Sequence, residues 1–205
     1  LDTFKSKHTR YGTITSLTTL GPLAGQSAAF PLMIKFLYGE FPGAPDPLKY
    51  AFYGPLIGSA SRVLFGFIAD KVGGAILTTI TGLGILGGTV ILVTQGLVAP
   101  TSMEQFPLFV GIILMIFFFT GVGNAGTFRQ YPIIFGDNPR QAAGVIGWTA
   151  AVAAFGPFIF SKLIGANISS NGGANQFFIG LIIFSLIATF INWWFYNRKG
   201  CEKPS

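Results

Sequence analysis

The sequence predicts an all-α membrane protein of six transmembrane helices. Three observations predict it. Only 10% of its 205 residues are charged, against about 25% in an ordinary soluble domain. The apolar residues gather into six long runs. The basic residues concentrate in the two tails. The 28 glycines fit the same solvent, because glycine is commoner in membrane helices than in soluble ones.

A helix needs about 20 apolar residues to cross the hydrocarbon core. The six runs lie at Tyr11–Tyr38, Lys49–Ala69, Ala75–Val98, Phe106–Phe135, Gln141–Gly165 and Gln176–Tyr196. Turn chemistry separates them. The stretch from Phe41 to Pro47 holds three prolines, which cannot stay helical without their amides. Gly73-Gly74, the segment from Gly136 to Pro139 and the segment from Ser169 to Gly173 mark other breaks.

The net charge is +6. Lys5, Lys7 and Arg10 precede the first run, and Arg198, Lys199 and Lys203 follow the last. That placement orients a membrane protein and is not a nucleic-acid-binding stripe. With six spans both termini share one side, which the basic tails make cytoplasmic. Lys71 and Arg140 fall on that side, whereas Lys35, Lys49 and Lys162 fall near the other. The expected location is the cell membrane. Cys201 is the only cysteine, so neither a disulfide nor a zinc site can be built within the chain. No cofactor or metal is expected. The chain starts Leu-Asp and reads as a piece of a longer protein.

Arg62 lies deep in the second run. A charge there costs about 2.5–3.5 kcal/mol on insertion scales. Positions four apart share a helix stripe, which groups Arg62 with Gly54, Gly58 and Gly66 and predicts open space beside it. The acids are Asp2, Glu40, Asp46, Asp70, Glu104, Asp137 and Glu202, none deep in a run. Three ways to satisfy Arg62 stay open. Another chain or segment supplies a carboxylate; backbone carbonyls and water serve; or the counter-ion is a small anion from solution. Arginine suits the last case, because its planar fork matches flat oxyanions.

No span holds an acid or histidine that could relay protons, and His8 is placed in the tail. The same absence argues against an intramembrane enzyme. Arg129, near the end of the fourth run, is expected to snorkel to headgroups or water.

The segment from Gly66 through Asp70, Lys71 and Gly73 to Gly74 closes the second span. Gly66 is expected to give a close helix contact, Asp70 and Lys71 to pair with neighbouring helix ends, and Gly73 to allow a sharp turn. The pattern resembles the loop motif G-x-L-A-D-R-x-G-R of the major facilitator superfamily, with Lys71 for the usual arginine and Gly74 for a basic residue. The run from Phe52 to Arg62 looks like the eighth helix of the nitrate/nitrite porter family. The stretch from Gly121 to Phe128 with Ile133 to Phe135 looks like its tenth, and Gly144 to Gly147 running to Lys162 resembles its eleventh.

The resemblance covers almost the whole chain. It implies residues 1–205 as one six-helix half of a major facilitator fold, a 3+3 inverted repeat, with the N-terminal half absent. It implies secondary transport of nitrate/nitrite, with Arg62 binding the anion at the interface of two halves. Gly58, Ser16, Asn124 and Gly147 are the further candidates for that site, and Gly66, Asp70, Lys71 and Gly73 for a gating loop. The partners implied are the anion, the bilayer and the other half. Departures are Ser16 where the family often has tyrosine, Trp148 and Ala153 in the eleventh helix, and Arg129. Two other readings stay open: an exchanger of small carboxylates such as oxalate/formate, and a non-transporting membrane subunit or degenerate fragment.

Overall fold

The computed structural model describes residues 6–205. Asp2 and Lys5, counted above, lie outside the described residues. Among the described residues the chain is helical throughout, without strands. Helix α1 (Lys7–Met33) continues into a π-helical turn, Ile34–Tyr38. A short α2 (Pro47–Tyr50) leads into α3 (Tyr53–Val72). Then follow α4 (Gly74–Thr94), α5 (Phe106–Ile134), α6 (Pro139–Ala154), α7 (Gly156–Asn171) and α8 (Asn175–Asn192), which ends in a second π-helical turn, Trp193–Asn197.

Among the described residues five segments are long and apolar enough to cross a membrane: Pro47–Val72, Gly74–Thr94, Met103–Ile134, Pro139–Asn171 and Asn175–Asn197. The chain is therefore a multi-pass membrane protein, as the apolar runs predict. Helix α1 differs from the expectation in apolarity, not in length. Its 27 residues reach about 40 Å at 1.5 Å per residue. It is rich in hydroxyls because it lies inside the bundle, packed on α5, α6, α7 and α8. Thr13, Thr15, Thr18 and Thr19 donate to carbonyls of their own helix at 2.7–3.2 Å. Back-bonding gives each of these donors an acceptor within its own helix, and Thr19 Oγ1 also lies 3.4 Å from Thr127 Oγ1 of α5.

The run expected as one helix from Gln141 is broken at Phe155, between α6 and α7. Pro157 has no amide to continue the ladder, and Phe155 N–H turns to the Val152 carbonyl instead. The break packs on α1, where a Cβ at Gly156 would stand 3.2 Å from the Gly21 carbonyl.

The core holds Phe30, Met33, Ile85, Phe109, Ile113 and Phe117. Tyr38 closes one end by donating to the Leu97 carbonyl at 2.8 Å. A polar network crosslinks the other end. Thr78 donates to Gln130 Oε1 at 2.8 Å, Gln130 Nε2 to Asn192 Oδ1 at 3.0 Å, and Asn192 Nδ2 to the Ala75 carbonyl at 2.9 Å. These bonds tie α4, α5 and α8 together.

His8 is a correction to the expectation. It opens α1 rather than lying in a tail, and it is buried. Its Nδ1 lies 3.1 Å from the Tyr196 hydroxyl and its Nε2 3.3 Å from Glu202, which also meets Lys7 at 2.6 Å.

Candidate functional site

Helices α3 and α5 meet through residues with little or no side chain. Gly54 faces the Phe117 ring, and Gly58 faces Leu23 and the Phe117 carbonyl. Ser61 Oγ donates to the carbonyls of Gly58 and Phe118 at 3.0 and 3.1 Å. Gly121 has no room for a Cβ, which would strike Ser61 Oγ and the Gly58 carbonyl.

That seam corrects the expected glycine stripe around Arg62. Each step of four residues rotates the helix by about 40°, so three steps turn Gly54 and Gly66 onto different faces. Gly54 and Gly58 are buried against α5 and α1, whereas Arg62 is exposed and a Cβ at Gly66 would meet nothing within 4 Å. Gly66 therefore makes no close helix contact here. The uncovered stripe beside Arg62 runs instead through Pro55, Ser59 and Gly66.

Pro55 and Ser59 line a shallow hollow of about 330 Å³, completed by Ser27 of α1 and Ala150, Ala153 and Ala154 of α6. Sequence reasoning missed this hollow. Its signal was the run of alanines in α6, whose small side chains leave room beside α1 and α3. Arg62 lies one helical turn from Ser59. Its guanidinium stands over the Phe128 ring of α5 at 4.9 Å, within reach of a cation–π contact. Among the described residues no carboxylate forms an ion pair with it.

The other candidates fall on two levels. Gly147 is exposed on α6, with open space around it. Ser16 and Asn124 are buried, and neither the Ser16 hydroxyl nor the Asn124 amide has a hydrogen-bond partner. A buried amide without partners costs about 1–3 kcal/mol. Asn124 stands one helical turn before Phe128 in α5. Among the described residues no hydrogen bond joins Arg62 to Ser16, Asn124 or Gly147.

In the last turn of α3, Asp70 pairs with Arg129 of α5 at 2.7 Å. Arg129 is thus engaged by an acid rather than only snorkelling. The Nε–H is not aimed at the carboxylate, so the contact is Coulombic more than a directed hydrogen bond. Lys71 is exposed. Gly73 ends α3 with φ +100° and ψ 140°, a conformation open to glycine. Gly74 then starts α4 directly against the Gly126 carbonyl.

Fold and site together define a class: an all-helical, multi-pass membrane protein, built like half of a major facilitator transporter, with an exposed arginine that pairs with no carboxylate among the described residues. Its relatives are transporters, not enzymes. The chain is 52% identical over 203 residues to a protein of Thermus thermophilus described as a probable nitrate/nitrite antiporter, NarK2, with 99% of this chain and 45% of that protein covered. It is 28% identical over 207 residues to the nitrate/nitrite transporter NarU of Escherichia coli, covering 89% of this chain and 42% of that protein. The chain is thus similar over nearly all of its length to nitrate/nitrite porters, and it spans about half the length of these curated relatives. No family model matches the sequence.

Proposed function

We propose that this chain is the C-terminal half of a nitrate/nitrite transporter of the cell membrane, with both termini cytoplasmic. Arg62 is its anion contact, facing the N-terminal half across the uncovered side of α1, α3 and α6. The observation that carries this reading is a guanidinium with no carboxylate among the described residues, beside a hollow lined by hydroxyls and methyls. An anion seated there would receive charge-assisted hydrogen bonds from the guanidinium, while Phe128 holds its plane. On this reading Asn124 and Ser16, buried polar groups without hydrogen-bond partners, and Gly147 and Gly58 are the further residues of the site. The alternation of access belongs to two halves rocking about the site, with the segment from Gly66 to Gly73 as the gate of this half.

Nitrate uptake into proteoliposomes by the complete transporter tests the proposal. Arg62→Ala should abolish uptake while the protein still inserts and melts normally. Uptake at an undiminished rate in that variant would reject Arg62 as the anion contact. Competition with formate and oxalate in the same assay separates nitrate from small carboxylates: a carboxylate that competes better than nitrite reassigns the cargo.

A further inference from the structure

A groove of about 290 Å³ runs between α4 and α8, away from the hollow beside Arg62. Leu83, Leu86, Leu186 and Phe190 line its length, and Thr79 and Trp193 lie at one end. Leu83, Leu186 and Phe190 are exposed, on segments apolar enough to cross a membrane. The end of α8 is anchored at that same edge, because Asn197 Nδ2 donates to Thr79 Oγ1 at 3.0 Å. One residue on, the Arg198 guanidinium lies 3.9 Å from the centre of the Trp194 ring, and its Nε donates to the Trp194 carbonyl at 3.2 Å. Trp193 and Trp194 stand ring to ring at 6.1 Å. Lys199 follows, exposed. Among the described residues no carboxylate pairs with Arg198 or Lys199.

The chemistry of the two parts is complementary to one molecule. The groove offers alkyl and aromatic walls of the kind that take an acyl chain. Tryptophans sit by preference at headgroup level, which sets the depth of Trp193 and Trp194. Beyond them two cations without acidic partners meet the headgroup layer, where basic residues attract anionic lipids. We propose that a phospholipid of net negative charge docks here, with one acyl chain in the α4–α8 groove and its phosphate on Arg198 and Lys199. Arg198 is held ready by its stacking on Trp194, so little side-chain freedom is lost when the phosphate arrives.

Tryptophan quenching tests this in the full protein, reconstituted in phosphatidylcholine vesicles. All tryptophans other than Trp193 and Trp194 are replaced by Phe. Brominated phosphatidylglycerol should quench at least about twofold more than brominated phosphatidylcholine at equal mole fraction. Arg198→Gln with Lys199→Gln should make the two lipids equivalent. High salt should do the same without any substitution, because screening shortens the reach of the cations. Inorganic phosphate at millimolar concentration should leave the preference intact. Equal quenching by both lipids in the parent protein, a preference that survives both substitutions, or one that phosphate abolishes would each overturn the proposal.

Discussion

Asp70 Oδ1 lies 2.7 Å from Arg129 Nε and ties the end of α3 to α5. Both side chains are partly exposed, at 65% and 39%. Such pairs contribute little to stability, about 0–1 kcal/mol. The pair therefore matters through the conformation it favours. Asp70→Asn and Arg129→Gln should each shift Tm slightly and change the transport rate severalfold. The exchanged pair, Asp70→Arg with Arg129→Asp, should recover part of the rate. A transport assay of the four proteins checks this, and a swapped pair that is no faster than either single variant would sink it.

Glycines at the α3–α5 seam should divide sharply from those on the open face. Gly121→Ala places a methyl on the Ser61 hydroxyl and the Gly58 backbone. Overpacking of that kind costs about 1–3 kcal/mol. Gly66→Ala and Gly147→Ala meet open space and should leave the melting temperature unchanged or slightly raised. Thermal unfolding in one detergent measures all three.

The Gln130–Asn192 bond at 3.0 Å is the centre of the network across α4, α5 and α8. Asn192→Leu strips partners from Gln130, the Ala75 carbonyl and Thr79. Leaving a buried amide unsatisfied costs about 1–3 kcal/mol. The double variant Gln130→Leu/Asn192→Leu should lose less than the sum of the two single losses, as read from melting curves.

Acid should loosen the junction of α1 with the end of the chain. His8 stands before the apolar part of α1, which opens at Tyr11. Burial pushes its pKa below the usual histidine value, against the opposing pull of Glu202. The folded protein thus favours neutral His8, and the unfolded chain binds the proton first. The stabilising contribution is present above about pH 6.5 and is lost as pH falls toward the lowered folded value. His8→Gln should flatten the fall of Tm between about pH 7 and 5. An equally steep fall in that variant would remove His8 as its cause.

The membrane architecture was legible because insertion into lipid demands long apolar runs, and α3, α4, α5 and α8 have them. The interior place of α1 was not. Its threonine hydroxyls at 13, 15, 18 and 19 bond to its own backbone, and a one-dimensional reading cannot see that bonding. Pro157 did carry the signal for the break between α6 and α7, but the run around it is apolar enough to read as one span. Arg62 was legible as a charge without a nearby acid in sequence. Its packing was misread, because the drift of about 40° per four residues parts Gly54 and Gly58 from Arg62. The pairing of Asp70 with Arg129 joins positions distant in sequence, and only the crossing of α3 and α5 brings them together.

Nitrate-dependent stabilisation of the complete transporter tests Arg62 most directly, since a ligand that binds only the folded state raises Tm with its concentration. The account predicts a clear nitrate-dependent rise in the parent protein, none in Arg62→Ala, and a strongly weakened one in Arg62→Lys, which keeps the charge but loses the planar fork. An Arg62→Ala protein that nitrate stabilises as fully as the parent would contradict it.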